Sequence, residues 1–217
     1  MKSIYYILTI LLFVVGAFFV VTYASGYKVD ITNRQVSQTG MIIVEAGDST
    51  VFLDDEPVGS GKVTLRSLNP DEYVIKVSKD GYFNWYQTVD LLPGEAEIIN
   101  DVVMFKENPE IEEYKIEDKE FFEKLSESDG LYSDGHEIYQ NNNFVTRFSE
   151  SLSGLTWYND RRYISYTYQN KLKVMRIDGT NEFTLLEKNS SSPAVFVNSG
   201  RYVIYEHDGK VFRAKIK

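Results

Sequence analysis

Few side chains in this sequence are spaced for chemistry. Only two histidines occur, His136 and His207, each beside an acidic residue but 71 positions apart, and no ligand spacing ties them into a metal site. There is no cysteine, which excludes a disulfide framework, a thiolate zinc site, a cysteine nucleophile and a lipid-modified amino-terminal cysteine. Asp54, Asp55 and Glu56 offer the oxygen ligands that calcium takes, but no Asp-x-Asp-x-Asp-Gly loop surrounds them, so a solvated hairpin tip is expected. Asp129 and Asp134 each precede a glycine and are expected to make turns. The serine-rich "KNSSSPAVF" lacks a Gly-x-Ser-x-Gly elbow, and its Asn189-Ser190-Ser191 is formally a glycosylation triplet. Arg161 and Arg162 beside Trp157 could grip an anionic or sugar ligand. Paired carboxylates for glycoside cleavage can be drawn from any acidic chain, and nothing here fixes their separation. No glycine loop precedes a helix to cradle phosphate. The expectation is a protein without catalytic residues, metal or cofactor, whose ligand-binding residues stay open. Its net charge of −9 repels phosphates, so nucleic acid and anionic lipid headgroups are not expected partners.

The elements that would position any site begin with an apolar helix. Ile4 to Ala24 contains no charge and no proline. At about 1.5 Å per residue it reaches roughly 31 Å, which matches the roughly 30 Å hydrocarbon core of a bilayer. A cleaved signal peptide is the competing reading, because Lys2 gives a basic start and Thr22-Tyr23-Ala24 a passable cleavage site. The apolar region of such a peptide runs only about 7 to 15 residues, so a retained membrane anchor is expected. Lys2 lies on one side of the span, with Lys28 and Arg34 close on the other. Local charge therefore does not orient it, and a long following domain translocates largely regardless of charge. The bulk is expected outside the cytoplasm, in a single-pass cell membrane protein.

After a stalk at 26–39, the texture from Gly40 becomes short alternating runs divided by turn residues, the mark of an all-β fold. Strands are expected at Met41–Ala46, Thr50–Asp54, Lys62–Leu68, Glu72–Ser78, Tyr82–Leu91 and Glu95–Phe105. Gly47-Asp48, Gly59-Ser60-Gly61, Asn69-Pro70-Asp71, Asp80-Gly81 and Pro93-Gly94 separate them. In "SKDGYFNWYQTVDL", Phe83, Trp85, Val89 and Leu91 share one face of a strand and Tyr82, Asn84, Tyr86, Thr88 and Asp90 the other. Trp85 is thus expected in a core, and Tyr86 is the one aromatic held back as a contact. The order of features from Gly40 to Phe105 resembles the PEGA domain, a small β module of bacterial and archaeal surface proteins. "TVFLDD", "LRSLNPDEYVIKV" and the Gly81-Tyr82-x-x-Trp85 block carry the likeness. Ser49-Thr50, Asp54-Asp55-Glu56 and Gly59-Ser60-Gly61-Lys62 depart from the family's turn residues. The resemblance implies a surface-exposed, non-catalytic β sandwich at 40–106 and carries no binding residues with it.

An acidic connector at 107–130, with a break at Asn108-Pro109 and a short helix expected around Asp118–Leu125, leads to a tail that repeats itself. "WYNDRRYISYTYQNKLKVMRI" from Trp157 aligns without gaps on "FVNSGRYVIYEHDGKVFRAKI" from Phe196, an offset of 39 residues. Arg162 thereby meets Arg201, Tyr163 meets Tyr202, Tyr166 meets Tyr205 and Ile177 meets Ile216. A period near 40 with four short strands per unit is the sequence signature of β-propeller blades. Leu155–Tyr158, Tyr163–Tyr168, Leu172–Ile177 and Glu182–Leu186 would form one blade, and Gly135–Glu150 an earlier partial copy. Fewer than three such units fit between Glu110 and Lys217, so no ring can close within the chain. The full expectation is an all-β chain with an N-terminal transmembrane helix at 1–25, a PEGA-like sandwich, and incomplete propeller-like repeats at 131–217. Its expected function is tethered, non-catalytic binding, adhesion or scaffolding toward an envelope protein or glycan. A hydrolase or lyase of envelope polysaccharide, and a subunit whose partner or second copy completes the blades, are the alternatives. An uncovered strand edge at Lys210–Lys217 would favour the last.

Overall fold

The computed structural model describes residues 2–24, 26–30, 35–115, 130–159 and 161–217. The chain is mainly β, with 56% in strands; the described residues hold one N-terminal apolar helix and several sheets, none closed into a barrel or propeller. Helix α1 is Lys2–Ala24. Its Tyr5–Ala24 stretch is long and apolar enough to cross a membrane, a property that a signal sequence shares. The chain, α1 included, divides into two compact units that interleave along it. One takes the residues up to Val77 together with Gln87–Val102, and the other takes Ser78–Tyr86 together with Val103–Lys217.

In the first unit, β1 (Tyr27–Asp30) pairs antiparallel with β2 (Gln35–Gln38), so paired strands stand where an irregular stalk was expected. The backbone N–H and the hydroxyl of Thr39 both donate to the Gly26 carbonyl, at 2.8 and 2.7 Å, and close the base of this hairpin. Next come β3 (Gly40–Leu53), β4 (Glu56–Leu68), β5 (Asp71–Ser78), β6 (Trp85–Leu91) and β7 (Ala96–Ile99). The sheet order is β4-β3-β5-β6, with β7 parallel to β3. Two expected turns are corrected. Gly47-Asp48 lies inside continuous β3, where the pairing with β4 shifts register between Glu45 and Thr50, and Gly59 to Gly61 lie inside β4. An inserted residue in a strand needs the same left-handed freedom that a tight turn does, and Gly47 (φ 61°) supplies it to a bulge. The hairpin turn is Asp54-Asp55, at φ 48° and 67°, between paired Leu53 and Glu56, the geometry of a two-residue type I′ turn. The parity reading of the strands holds: Ile75, Val77, Val89 and Leu91 are buried with Ile42, Val44, Val51 and Ile99, while Tyr86 is exposed.

The second unit is built from β8 (Glu110–Glu113), β9 (Leu131–Ser133), β10 (Glu137–Gln140), β11 (Asn143–Arg147), β12 (Ser153–Trp157), β13 (Tyr163–Tyr168), β14 (Lys171–Arg176), β15 (Phe183–Glu187), β16 (Val195–Val197), β17 (Tyr202–His207) and β18 (Lys210–Lys215). They make a three-stranded sheet β11-β10-β9, a four-stranded sheet β12-β13-β14-β15, and a second four-stranded sheet β16-β17-β18-β8. The sequence repeat is carried into the backbone. Tyr163 pairs with Arg176 as Tyr202 pairs with Lys215, and Ile177 N–H bonds the Arg162 carbonyl as Ile216 N–H bonds that of Arg201. Even the left-handed residue at the turn recurs, as Arg161 (φ 58°) and Gly200 (φ 75°). The glycine is needed at the second position, because a Cβ there would stand 2.2 Å from the Tyr158 hydroxyl. Leu131, Ile138, Leu152, Ile164, Tyr166 and Met175 form one buried cluster of this unit. The helix expected at Asp118–Leu125 lies outside the described residues.

Candidate functional site

The stretch Ser78–Tyr86 belongs to the second unit, and Trp85 is the residue it commits to that unit's core. Trp85 is fully buried and its indole N–H donates to the Tyr163 hydroxyl at 2.8 Å. Phe83 stacks on Phe183 with ring centroids 5.3 Å apart, and Phe105 packs edge-on to Tyr158 and Tyr163. Tyr86 keeps an exposed ring, but Asn181 clamps its backbone from both sides, accepting from Tyr86 N–H at 2.9 Å and donating to its carbonyl at 2.7 Å. An asparagine side chain carries the same donor and acceptor as a peptide unit, so it substitutes there for a neighbouring strand.

The other residues singled out by type fall apart in space or into turns. Asp54 accepts from Val74 N–H and Asp55 pairs with Lys76, both at 2.8 Å. Asp134 accepts the backbone N–H groups of His136 and Glu137, and these donors hold its carboxyl below the usual carboxylate range. His136 is exposed, whereas His207 lies in β17 with its Nε2 3.4 Å from Asp208. Arg161 and Arg162 are exposed, while Trp157 packs against the Leu131 cluster instead of lying open beside them. Asp129 lies outside the described residues. Among the described residues no group of three or more His, Asp or Glu side chains is placed to hold a metal.

One constellation that the sequence reading missed stands out on the β11-β10-β9 sheet. Tyr139 is the cross-strand partner of both Tyr132 and Phe144, so three rings form one row across three strands. Tyr132 and Tyr139 stack with centroids 5.1 Å apart and planes 12° from parallel, and Phe144 meets Tyr139 edge-on at 6.1 Å. Tyr132 is 45% and Phe144 60% exposed, while Leu131 and Ile138 on the opposite face are buried. A register shift between Ile138 and Tyr139 sends Val145 toward the core and keeps Phe144 in the row. Polar groups rim the rings. The Tyr139 hydroxyl donates to Glu137, Arg147 pairs with Glu137, and the Tyr132 hydroxyl donates to Asn142 at 3.2 Å. The carboxylate beside it pushes the Tyr139 phenol up to about 12, so the ring stays neutral and its proton stays committed. Alternation of Leu131 and Ile138 with Tyr132 and Tyr139 was the available signal, since aromatic residues there occupy the face that polar residues normally take.

These features define a β-rich chain whose first unit presents a small sheet with long, bulged strands. Its residues 41–102 match the PEGA domain family, close to the 40–106 span from which the resemblance was read. Comparison with curated proteins finds no match for this chain.

Proposed function

We propose that this chain is a membrane-tethered, non-catalytic binding module of the cell envelope, with α1 as a retained single-pass anchor and both units outside the cytoplasm. The observation that carries the reading is the row of Tyr132, Tyr139 and Phe144, its outer rings exposed and its central ring half-buried, with Glu137, Arg147 and Asn142 at its rim. Rigid aromatic rings supply contact area at low entropic cost, and polar neighbours fix orientation. That combination suits a ligand that offers apolar ring faces and hydroxyls together, as a glycan strand does. The PEGA match at residues 41–102 supports a non-catalytic, surface-presented role for the first unit. The three sheets of the second unit are propeller-like blades that form a self-contained array. Their support is the 39-residue repeat and the origin of the last sheet's fourth strand, β8, which precedes the first sheet in sequence. The Lys210–Lys215 edge, whose exposure would have favoured a partner-completed array, is paired with β8.

The test is co-sedimentation of the full chain in detergent micelles with insoluble envelope polysaccharide, comparing the wild type with Tyr132→Ala/Phe144→Ala. Two truncated anchor rings cost about 2 kcal/mol together, which is roughly a thirtyfold loss in affinity. Equal binding by the variant would remove the row from the function.

A further inference from the structure

The strand that completes the last sheet is held mainly at its edge, by its neighbour. All four residues of β8 are exposed, Ile111 included at 52%. What retains them is the backbone ladder to β18, a charge zipper, and the adjoining Tyr114, whose N–H donates to the Val211 carbonyl and whose ring packs against the Val195 and Ile204 cluster. Arg213 Nε donates to Glu112 at 2.6 Å, Lys210 lies 3.6 Å from Glu113, Lys215 lies 4.0 Å from Glu110, and Lys106 bonds Glu110 at 2.8 Å. Exposed ion pairs hold weakly in water and are screened by salt. The β18 edge beside this strand is a different surface. Its basic residues face an acidic neighbour, and the Arg213 guanidinium sits over the rings of Tyr114 and Tyr202, 5.2 and 5.1 Å from their centroids. A hollow of about 260 Å³ lined by Glu110, Ile111, Glu112, Tyr202, Arg213 and Lys215 opens along the junction.

We propose that the β18 edge is a docking site for an extended acidic segment of a partner protein, and that β8 is the chain's own replaceable occupant of it. Strand addition draws affinity from main-chain hydrogen bonds and specificity from alternate side chains. The preferred segment carries the pattern that β8 shows, Glu-Ile-Glu-Glu followed by an aromatic residue. Its carboxylates answer Lys106, Lys210, Arg213 and Lys215, and its aromatic ring takes the place of Tyr114 against Arg213. Neither the row of rings on β9–β11 nor any ligand there enters this inference.

The probe is a fluorescent synthetic peptide of sequence NPEIEEYK, titrated by anisotropy against the full chain in detergent micelles. A competitor on the same chain lowers apparent affinity by the fraction of time the site is open. Glu110→Ala/Glu112→Ala/Glu113→Ala is therefore expected to bind the peptide about tenfold more tightly than the wild type. Adding Arg213→Ala/Lys215→Ala to that variant should abolish the gain, as should high salt or replacement of the peptide's three glutamates by lysine. Hydrogen exchange of β17 amides reports whether each variant keeps its sheet. Equal affinity for wild type and triple variant, no binding to a triple variant with β17 still protected, or binding indifferent to Arg213 and Lys215 would each overturn the proposal. So would self-association of the triple variant that excludes the peptide, because a second copy would then own the edge.

Discussion

Replacing Tyr163 with phenylalanine deletes one oxygen from the centre of the second unit. Tyr163 and Trp85 are both fully buried, and the Tyr163 hydroxyl is where the indole N–H of Trp85 donates, at 2.8 Å. The phenylalanine ring keeps the edge-on contacts to Phe105 and Tyr158, at 5.8 and 6.1 Å, so hydrophobic packing changes little. What remains is a buried donor without its acceptor, which costs about 1–3 kcal/mol. In native-state hydrogen exchange on the full chain in micelles, that loss appears as roughly 5- to 150-fold faster exchange at amides that exchange through opening of the whole unit with fast reclosing. The acceleration should cover the amides of β13 and β14 and leave those around Ile42 and Val44 in β3 unchanged, because the pair belongs to the second unit. Trp85→Phe combined with Tyr163→Phe should cost less than the sum of the single changes, since the stranded donor leaves with the tryptophan. Unchanged exchange in β13 and β14, or an effect centred on β3, would refute the assignment of Trp85 to this core.

Two further outcomes follow from buried chemistry and from topology. Lys188 is fully buried, donates to Thr167 Oγ1 at 2.8 Å and to the Ser190 carbonyl, and burial pushes its amine down to about 8 against a smaller opposing pull from Glu206. With the folded value below the ordinary lysine value of 10.5, the unfolded chain binds the proton more tightly across that interval. This group therefore makes stability rise as pH increases from about 8 to 10.5, and Lys188→Met should flatten that part of the wild-type denaturation profile; parallel profiles would contradict it. For orientation, the absence of native cysteine lets Ser151→Cys report alone, since Ser151 is exposed. A membrane-impermeant maleimide should label it in intact spheroplasts, and labelling only after lysis would place the bulk in the cytoplasm.

The period-2 pattern made most strands readable, because an alternating run such as Tyr73 to Val77 buries one parity wherever it lands. The repeat was readable for the same reason: Tyr163 and Tyr202, or Ile177 and Ile216, keep equivalent places in equivalent sheets. Gly47-Asp48 and Gly59 to Gly61 misled because glycine marks left-handed backbone, which a bulge needs as much as a turn. Strand β8 was hidden in an acidic connector. "EIEE" has no buried face to announce it and is a strand only because β18 provides a ladder and opposite charge. The aromatic row was not visible, since Tyr132 stood between two expected turns, Tyr139 and Phe144 lay in a partial repeat without assigned strands, and the register that aligns the three is set by a bulge. Nothing local in "SKDGYFNWY" says that its rings pack with Tyr163 and Phe183, since those partners come about 80 to 100 positions later.

That separation acquires a meaning during synthesis. Trp85 leaves the ribosome 78 residues before Tyr163. At about 5–20 residues per second the tryptophan therefore waits roughly 4 to 16 s for its acceptor. Through that interval Phe83 and Trp85 are sticky surface on a nascent chain. If the chain is exported during synthesis, they emerge on the far side of the membrane well before the segment that shelters them. A fragment cut at the limits of the PEGA match, residues 41–102, would make that waiting state permanent, because it keeps Phe83 and Trp85 and discards Tyr163 and Phe183.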